Sequence, residues 1–519
     1  MSSTVEHVVV VGGGTAGWLT AGLLAAEHRS DSPQGLRVTL VESPDVRTIG
    51  VGEGTWPTLR QSLQKIGISE TDFIRHCDAS FKQGAKFARW TTGDEDDFYY
   101  HPLILPHGYY DANLVPHWQQ LAGEMSFADA VSCQGHLCEA GLAPKQISTP
   151  EFAAVANYAY HLDAGKFAQL LQKHCTENLG VSHILDHVTA VNSAENGDIA
   201  SVQCKKFGAL KGDLFIDCTG LKSLLLGEHF GVGFLDKKDI LFNDRALAVH
   251  APYPETDSPI ASHTISTAHS AGWIWDIGLP TRRGVGCVYS STHMSDEEAE
   301  RELIEYLEPS LGKDQLADLA PRKITIRPGH REKFWHRNCV AVGMSAGFLE
   351  PLEASAIVLI ELAAGMISEQ MPADREVMEI AAKNFNERFL YRWDRIIEFL
   401  KLHYCISKRR DSDYWIENCS PETIPERLQE LLKLWRYQAP NRHDFPDAEE
   451  VFPAASYQYV LYGMGFETRL RATERRFDSL EVARRQFEEN RKLTQRYINA
   501  LPSNRDLINK IREFGLQKI

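Results

Sequence analysis

Three glycines near the start of the chain have the spacing that binds the phosphates of a nucleotide. They stand at Gly12, Gly14 and Gly17 within the run GGGTAG. The first glycine permits a tight turn, the second lets the backbone approach a pyrophosphate, and the third lets a helix pack closely on a strand. Thr15 and Ala16 fall at the start of that helix, where unpaired N–H groups attract phosphate. The spacing predicts a dinucleotide site.

The segments around these glycines have the patterns that such a site requires. Residues 7–11 form a short β-branched run, typical of a strand that is buried on both faces. Residues 18–27 are rich in Leu and Ala at helical spacing, and residues 37–41 predict a second strand that leads into Glu42. A carboxylate there accepts hydrogen bonds from ribose hydroxyls. We therefore expect a βαβ unit with Glu42 on the ribose; the alternative is a glycine turn with no ligand.

A second glycine pattern further along the chain allows a different chemistry. Gly343, Ser345 and Gly347 match G-x-S-x-G, the nucleophile elbow of α/β-hydrolases, and residues 339–342 before them predict a strand. A dinucleotide motif has no role at the start of a hydrolase, and chance supplies such a pentapeptide in about one chain in six at ordinary glycine content. Both considerations disfavour Ser345 as a nucleophile. A hydrolase would turn over esters without a bound dinucleotide.

The composition and the charge exclude several classes of protein. The 519 residues carry 55 basic and 70 acidic side chains, a formal net charge of −15, whereas nucleic-acid binders have a basic surplus. Hydrophobic residues make up 43%, which is ample for a large core. The ten cysteines show no C-x-x-C or zinc-like spacing, which predicts reduced thiols, no metal site and a cytoplasmic location. No apolar run or leader segment suggests a membrane partner or a signal peptide.

Several short motifs are spread along the chain. They are residues 12–18 (GGGTAGW), 50–55 (GVGEGT), 80–87 (SFKQGAKF), 213–220 (DLFIDCTG), 243–252 (NDRALAVHAP), 272–280 (GWIWDIGLP), 347–357 (GFLEPLEASAI) and 403–405 (HYC). In their order and over nearly the whole chain they resemble the flavin-dependent halogenases of the tryptophan halogenase family.

The resemblance implies an α/β fold with an FAD-binding, Rossmann-like core of the flavin monooxygenase type. The core would comprise residues 1–110 and 155–358, and a mostly helical substrate-binding module would comprise residues 111–154 and 359–519. A separate flavin reductase would supply reduced FAD, since no second nucleotide motif is visible, and chloride or bromide would be the co-substrate. The FAD-binding positions would be Gly12, Gly14, Thr15, Ala16, Gly17, Glu42, Gly50, Gly343 and Leu349.

The family's lysine motif resembles residues 80–87 and places Lys82 at the reaction. In the family, halide is oxidised to hypohalous acid, which passes through an internal tunnel to an aromatic substrate, and the lysine holds the halogenating species by a hydrogen bond or as a haloamine. A lysine suits either role because its ammonium donates hydrogen bonds and its neutral amine is nucleophilic. The alternative is a solvated surface lysine. Lys86 is expected to be structural.

The resemblance also places a glutamate beside the substrate, at Glu353. Its carboxylate would orient the oxidant, accept the ring proton or stabilise the cationic intermediate. Glu350 is the neighbouring candidate, and an acid favoured by a helix dipole is the alternative for both. Ser355 and Ala356 stand where the family has Thr-Gly at its halide site. If that site needs a positive φ, alanine costs free energy there.

Two further groups of residues concern the substrate. Trp273 and Trp275 resemble the paired tryptophans that keep substrate from reacting directly at the flavin, although this spacing also suits one buried face of a strand. His101, Pro102 and Leu103 lie where tryptophan halogenases hold the indole, with an aromatic residue after the proline. Leu103 cannot stack on an indole ring. We therefore expect a small electron-rich arene such as indole, with free tryptophan a poor substrate.

Two other functions remain open at this point. A flavin-dependent aromatic hydroxylase would use the same cofactor to insert oxygen, but it does not need Lys82. A flavoprotein that binds FAD and a partner without halogen chemistry is favoured only by the departures from the family pattern at Leu103 and Ala356. Inert reoxidation of FAD with every arene and halide would identify that third function.

Overall fold

The computed structural model describes residues 4–46, 52–121, 124–447, 449–469 and 480–518. Its strands are β1 (His7–Val11), β2 (Arg37–Glu42), β3 (Gly52–Gly54), β4 (Ser80–Lys82), β5 (Gly84–Ala88), β6 (Phe98–Pro102), β7 (Ala159–Asp163), β8 (Ser182–Leu185), β9 (Val188–Ser193), β10 (Ile199–Cys204), β11 (Gly208–Lys211), β12 (Leu214–Asp217), β13 (Phe234–Asp236), β14 (Arg245–Ala251), β15 (Thr264–His269), β16 (Gly272–Gly278), β17 (Arg283–Tyr289), β18 (Arg322–Thr325), β19 (Gly329–Arg331), β20 (Trp335–His336), β21 (Cys339–Ala341) and β22 (Gly347–Phe348).

The helices are most frequent towards the end of the chain. The α-helices are α1 (Gly14–Glu27), α2 (Leu59–Ile66), α3 (Glu70–His76), α4 (Val115–Trp118), α5 (Phe127–Val131), α6 (Gln134–Glu139), α7 (Ala164–Asn178), α8 (Asp296–Leu307), α9 (Lys313–Ala317), α10 (Ser355–Glu369), α11 (Arg375–Cys405), α12 (Asp413–Asn418), α13 (Glu426–Trp435), α14 (Ala454–Gly463), α15 (Leu480–Ala500) and α16 (Asn504–Phe514). None of the helices in the described ranges is both long and apolar enough to cross a membrane.

The chain folds into two compact units. The first comprises Met1–Ala79, Leu162–Lys237 and Arg327–Trp393. The second comprises Ser80–His161, Lys238–Ile326 and Asp394–Ile519. The second unit therefore includes residues 80–110 and 238–326, which the division made from the sequence places with the FAD-binding core. These segments lie together because β5 and β6 share one sheet with β14–β17.

The first unit is built on a six-stranded sheet with the order β20-β21-β12-β1-β2-β8. All neighbours in it are parallel except β20 and β21. Every residue of β1 is buried, which explains its uninterrupted run of valines. α1 follows β1 and β2 follows α1, and Val8 pairs with Val38 between the two strands. The predicted βαβ unit and the α/β fold class are confirmed.

The second unit is built on a seven-stranded sheet with the order β18-β14-β17-β16-β15-β5-β6. Its neighbours are antiparallel apart from the parallel pair of β15 and β5. β16 lies within the sheet and is buried along its whole length. β4 pairs antiparallel with β7, with Ser80 opposite His161 and Lys82 opposite Ala159. This unit thus presents Lys82 on a short strand rather than on a loop.

Candidate active site

A cavity of about 850 Å³ opens in the first unit at the carboxyl ends of β1, β2 and β12. Open α/β sheets bind their ligands at this edge. Ser355 and Ala356 also line the cavity. Gly17 is not among the residues that line the cavity, and Gly50 lies outside the described residues. The predicted FAD-binding positions that line the cavity are Gly12, Gly14, Thr15, Ala16, Glu42, Gly343 and Leu349.

The glycine loop brings the start of α1 to this cavity. Gly12 has φ +105°, and a β-carbon on it would lie 2.2 Å from the carbonyl oxygen of Cys218. A β-carbon on Gly17 would lie 2.0 Å from the carbonyl oxygen of Gly12. Gly14 begins α1 with φ +70°. The loop and helix can approach this closely only because these positions lack side chains.

Glu42 ends β2 directly beside the glycine loop. A β-carbon on Gly13 would lie 1.5 Å from the carboxylate oxygen Oε2 of Glu42. The other oxygen, Oε1, is 3.0 Å from Nε2 of His183. His183 in turn packs edge-on against Trp18, with ring centroids 5.0 Å apart. The imidazole therefore lies against the carboxylate that is predicted to bind ribose, a contact that nothing in the local sequence around His183 indicates.

A buried aspartate shapes the loop that follows β12. Asp217 accepts hydrogen bonds from the backbone N–H groups of Thr219, Leu225 and Leu226. It also accepts hydrogen bonds from the hydroxyl groups of Thr219 and Ser223. The folded loop places Thr219 at the cavity wall. Asp217 stands within the motif of residues 213–220, but the local sequence does not indicate this role.

A strained turn precedes α10. Glu353 has φ 64° and ψ 4°, and Ala354 has φ 56° and ψ 44°. Left-handed backbone costs a residue other than glycine roughly 1–2 kcal/mol, so two in succession mark stored strain. Glu350 lines the cavity whereas Glu353, which is half-buried, does not. Ala356 is not among the positive-φ residues, so the cost anticipated for alanine at that position does not arise.

A buried glutamate on α10 is hydrogen-bonded to one residue just before α2 and to another within α2. Glu361 accepts hydrogen bonds from Thr58 Oγ1 at 3.0 Å and from Ser62 Oγ at 2.5 Å. Burial raises the pKa of Glu361 to about 7, although both hydroxyl donors oppose the rise. The carboxyl group is therefore protonated in the folded protein at mildly acidic pH, while it ionises in the unfolded chain.

We expect Glu361→Gln to change how stability depends on pH. A carboxyl with a raised folded pKa favours the fold below its unfolded pKa of 4.5, and that contribution is lost as the pH rises to about 7. The loss amounts to about 3 kcal/mol over that window. The Tm of the variant minus that of the wild type should therefore increase between pH 4.5 and pH 8.

Thermal unfolding scans across that pH range measure this difference. Glu369→Gln is the matched control, because Glu369 is an exposed carboxylate at the other end of the same helix. A Tm difference for Glu361→Gln that stays constant with pH, or that follows the control, would contradict the expectation.

Lys82 lies in the second unit at the end of β4, with only 3% of its surface exposed. It shares one face of the β4–β7 pair with Ser80 and His161, since directly opposed residues point to the same side. Burial, and then the positive charge of Lys82, hold the pKa of His161 well below its usual value. The structure excludes the alternative that Lys82 is a solvated surface lysine.

Trp273 and Trp275 both lie on β16 in the second unit, where both side chains are buried. Their ring centroids are 6.4 Å apart. The Trp275 ring covers Gly286 on β17, where a β-carbon would lie 2.2 Å from it. Trp273 packs beside Trp90 with ring centroids 6.3 Å apart. The two rings are therefore held rigidly by packing on one face of the sheet.

His101 and Pro102 end β6 in the same unit. The Nε2 atom of His101 is 2.9 Å from Ser456 Oγ. Leu103 follows the strand, and its backbone N–H donates to Gln134 Oε1 at 2.7 Å. His101 is buried, whereas Leu103 is partly exposed and presents an aliphatic side chain. This segment is thus fixed by hydrogen bonds and offers no aromatic face at position 103.

Comparisons with known proteins show to which family this chain belongs. The family model named tryptophan halogenase matches residues 7–477. The chain belongs to the tryptophan halogenase family. It is an FAD-dependent halogenating enzyme, so the halogenase prediction is confirmed, and nothing supports the hydroxylase alternative.

Relatives of this halogenase match it over most of their length. A tryptophan halogenase structure from Shewanella frigidimarina is 50% identical, with a TM-score of 0.96, and the match covers 100% of this chain and 99% of that one. A tryptophan 6-halogenase from Streptomyces toxytricini is 34% identical, and a tryptophan 7-halogenase from Lentzea aerocolonigenes is 30% identical. These two matches cover 89% and 90% of both chains, respectively.

The residues of the halogenase cavity fit FAD. The glycine loop leaves room for a pyrophosphate at the start of α1, and Glu42 stands at the end of β2 where the ribose hydroxyls would donate to it. Glu53 also lines the cavity, and burial, with a smaller effect from the Asp163 charge, raises its pKa to about 7. Glu53 lies within the motif of residues 50–55, but its raised pKa could not be predicted from the sequence because it depends on burial.

Ser345 is not a nucleophile in this halogenase. Its side chain is 1% exposed, and its hydroxyl group donates to the carbonyl oxygens of Asp217 and Val342. A serine nucleophile instead donates its proton to a basic partner. The hydroxyl fastens the turn after β21 to the end of β12. The match to G-x-S-x-G is therefore a structural coincidence, and the hydrolase alternative is wrong.

Proposed function

We propose that this halogenase attaches chlorine or bromine to a small electron-rich arene of the indole type. Reduced FAD, delivered by a separate flavin reductase, supplies with O2 the oxidising power that converts halide into hypohalous acid. The observation that carries the proposal is the burial of Lys82, which holds an amine away from bulk water in a chain of this family. An aromatic hydroxylase would have no use for that amine.

The chain's own residues would act on the halogen as follows. Ser355 and Ala356, at the start of α10, would bind halide through the helix N-terminus. Lys82 would hold the hypohalous acid and give a proton to its oxygen as the oxygen–halogen bond breaks. The carbon–halogen bond then forms, Glu353 accepts the ring proton, and water leaves. Trp273 and Trp275 would keep the arene from reacting directly at FAD.

The proposed preference is for indole over free tryptophan. Leu103 provides no ring on which an indole could be sandwiched. Trp435 is fully buried, and its Nε1 donates to Asp444 Oδ2 at 3.0 Å, while Phe452 is 1% exposed. Both aromatic side chains are therefore buried in the core, where they offer no surface to the amino-acid end of free tryptophan.

The experiment that tests this function supplies the protein with FAD, a flavin reductase, NADH and either indole or tryptophan. Chloride and bromide are run separately, and mass spectrometry follows the halogen isotope doublet. We expect the doublet with indole, and less product with tryptophan at matched concentration. Equal turnover of the two arenes would contradict the substrate proposal. A product heavier by one oxygen atom, without a doublet, would contradict halogenation itself.

A further inference from the structure

The backbone of the strained turn is held by a tryptophan far away in the sequence. The turn is closed by the N–H of Ala354, which donates to the carbonyl oxygen of Pro351 at 3.0 Å. Glu353 occupies its third position with φ 64°, where turns of this kind ordinarily take glycine. The indole N–H of Trp56 donates to the carbonyl oxygen of Glu353 at 2.9 Å.

The segment that carries Trp56 is itself anchored to α10. Thr58 and Ser62, two and six positions after Trp56, both donate to the carboxyl group of Glu361. α10 begins at Ser355, immediately after the strained turn. Residues 56–62 therefore hold both the turn and the helix that follows it. The carbonyl group that accepts the Trp56 hydrogen bond belongs to the peptide bond that joins Glu353 to Ala354.

We propose that Trp56 is a positioning residue for Glu353. The direction of a side chain follows from its backbone dihedral angles, and a left-handed glutamate relaxes to another conformation unless its surroundings prevent it. The Trp56 bond opposes that relaxation by fixing the peptide plane after Glu353. The inference rests on the proposed role of Glu353 as the group that accepts the ring proton.

The test removes the indole N–H and keeps an aromatic ring. We expect Trp56→Phe to lower kcat for indole halogenation about tenfold, because small displacements of a reacting group are costly. KM for indole and the affinity for FAD should remain near wild type. The matched control is Trp335→Phe, since Trp335 Nε1 donates at 3.0 Å to the carbonyl oxygen of Arg337, another left-handed residue, with φ 54°.

Two double variants separate positioning from a general structural effect. In a Glu353→Gln background, Trp56→Phe should cause no further loss of kcat, because the two residues act as one unit. Ala354→Gly should restore part of the activity of Trp56→Phe, because glycine lowers the cost of the left-handed backbone next to Glu353 and so weakens the tendency of the turn to relax. Thermal unfolding and FAD titration confirm that each variant is folded.

Three outcomes would overturn the inference. The first is a wild-type kcat for Trp56→Phe while Glu353→Gln is impaired. The second is a loss of kcat in the Trp56→Phe, Glu353→Gln double variant that equals the product of the two single losses. The third is an equal loss in Trp335→Phe. Full activity of Glu353→Gln would instead overturn the proposed role of Glu353, and with it the reason for a positioning residue.

Discussion

Lys82→Ala is expected to abolish the halogenated product, with kcat lowered by roughly a thousandfold or more, about 4 kcal/mol of barrier. Alanine removes the only group proposed to hold the hypohalous acid next to the arene. FAD should still bind, because Lys82 is not among the residues that line the cavity. Mass spectrometry of the indole product and titration of the protein with FAD measure the two quantities.

Lys86→Ala is the matched control for this loss. Lys86 follows Lys82 by four positions, but its Nζ is 2.5 Å from Glu139 Oε1 and 4.2 Å above the centre of the Phe98 ring. These contacts satisfy its charge within the second unit, as the structural role expected for it requires. Its replacement should leave kcat within about twofold, since ion pairs of this exposure contribute little. A similar loss in both variants would mean that any lysine removal damages the fold, and an active Lys82→Ala would refute the lysine mechanism.

The glycine loop was predictable from the sequence because its determinants are local. Gly12 and Gly17 contact each other within one strand–turn–helix unit, and the spacing alone encodes the close approach seen between them. Glu42 was predictable for the same reason, as it ends the next strand of the sheet. A pattern read along the chain captures interactions of this range.

The long-range contacts of the site residues were not predictable in this way. His183 meets Glu42, and Trp56 meets Glu353, only because distant segments are brought together by folding. The motif around Ser345 suggested the wrong enzyme class, because the same local pattern also occurs in the unrelated α/β-hydrolases. The division of the chain into two units likewise depends on the pairing of β5 with β15, two strands that lie far apart in the sequence.

Glu353→Gln is expected to lower kcat roughly a hundredfold while FAD binding is unchanged. Glutamine keeps the size of the side chain and tolerates the left-handed backbone no worse than glutamate does, so the turn should be preserved. The loss therefore reports the missing negative charge and proton acceptor. Steady-state kinetics with indole, together with FAD titration, measure both effects.

Glu350→Gln distinguishes between the two carboxylates of this segment. Glu350 is 1% exposed and lines the cavity, whereas Glu353 sits in the strained turn outside the cavity lining. If strain is retained at Glu353 because the carboxylate must be aimed at the arene, kcat should fall in Glu353→Gln and much less in Glu350→Gln. The reverse order would assign the ring proton to Glu350 and leave the turn as a feature of the helix start. Strain at a residue without a chemical role would then need a structural reason, and relieving it with Glu353→Gly should raise Tm without loss of kcat.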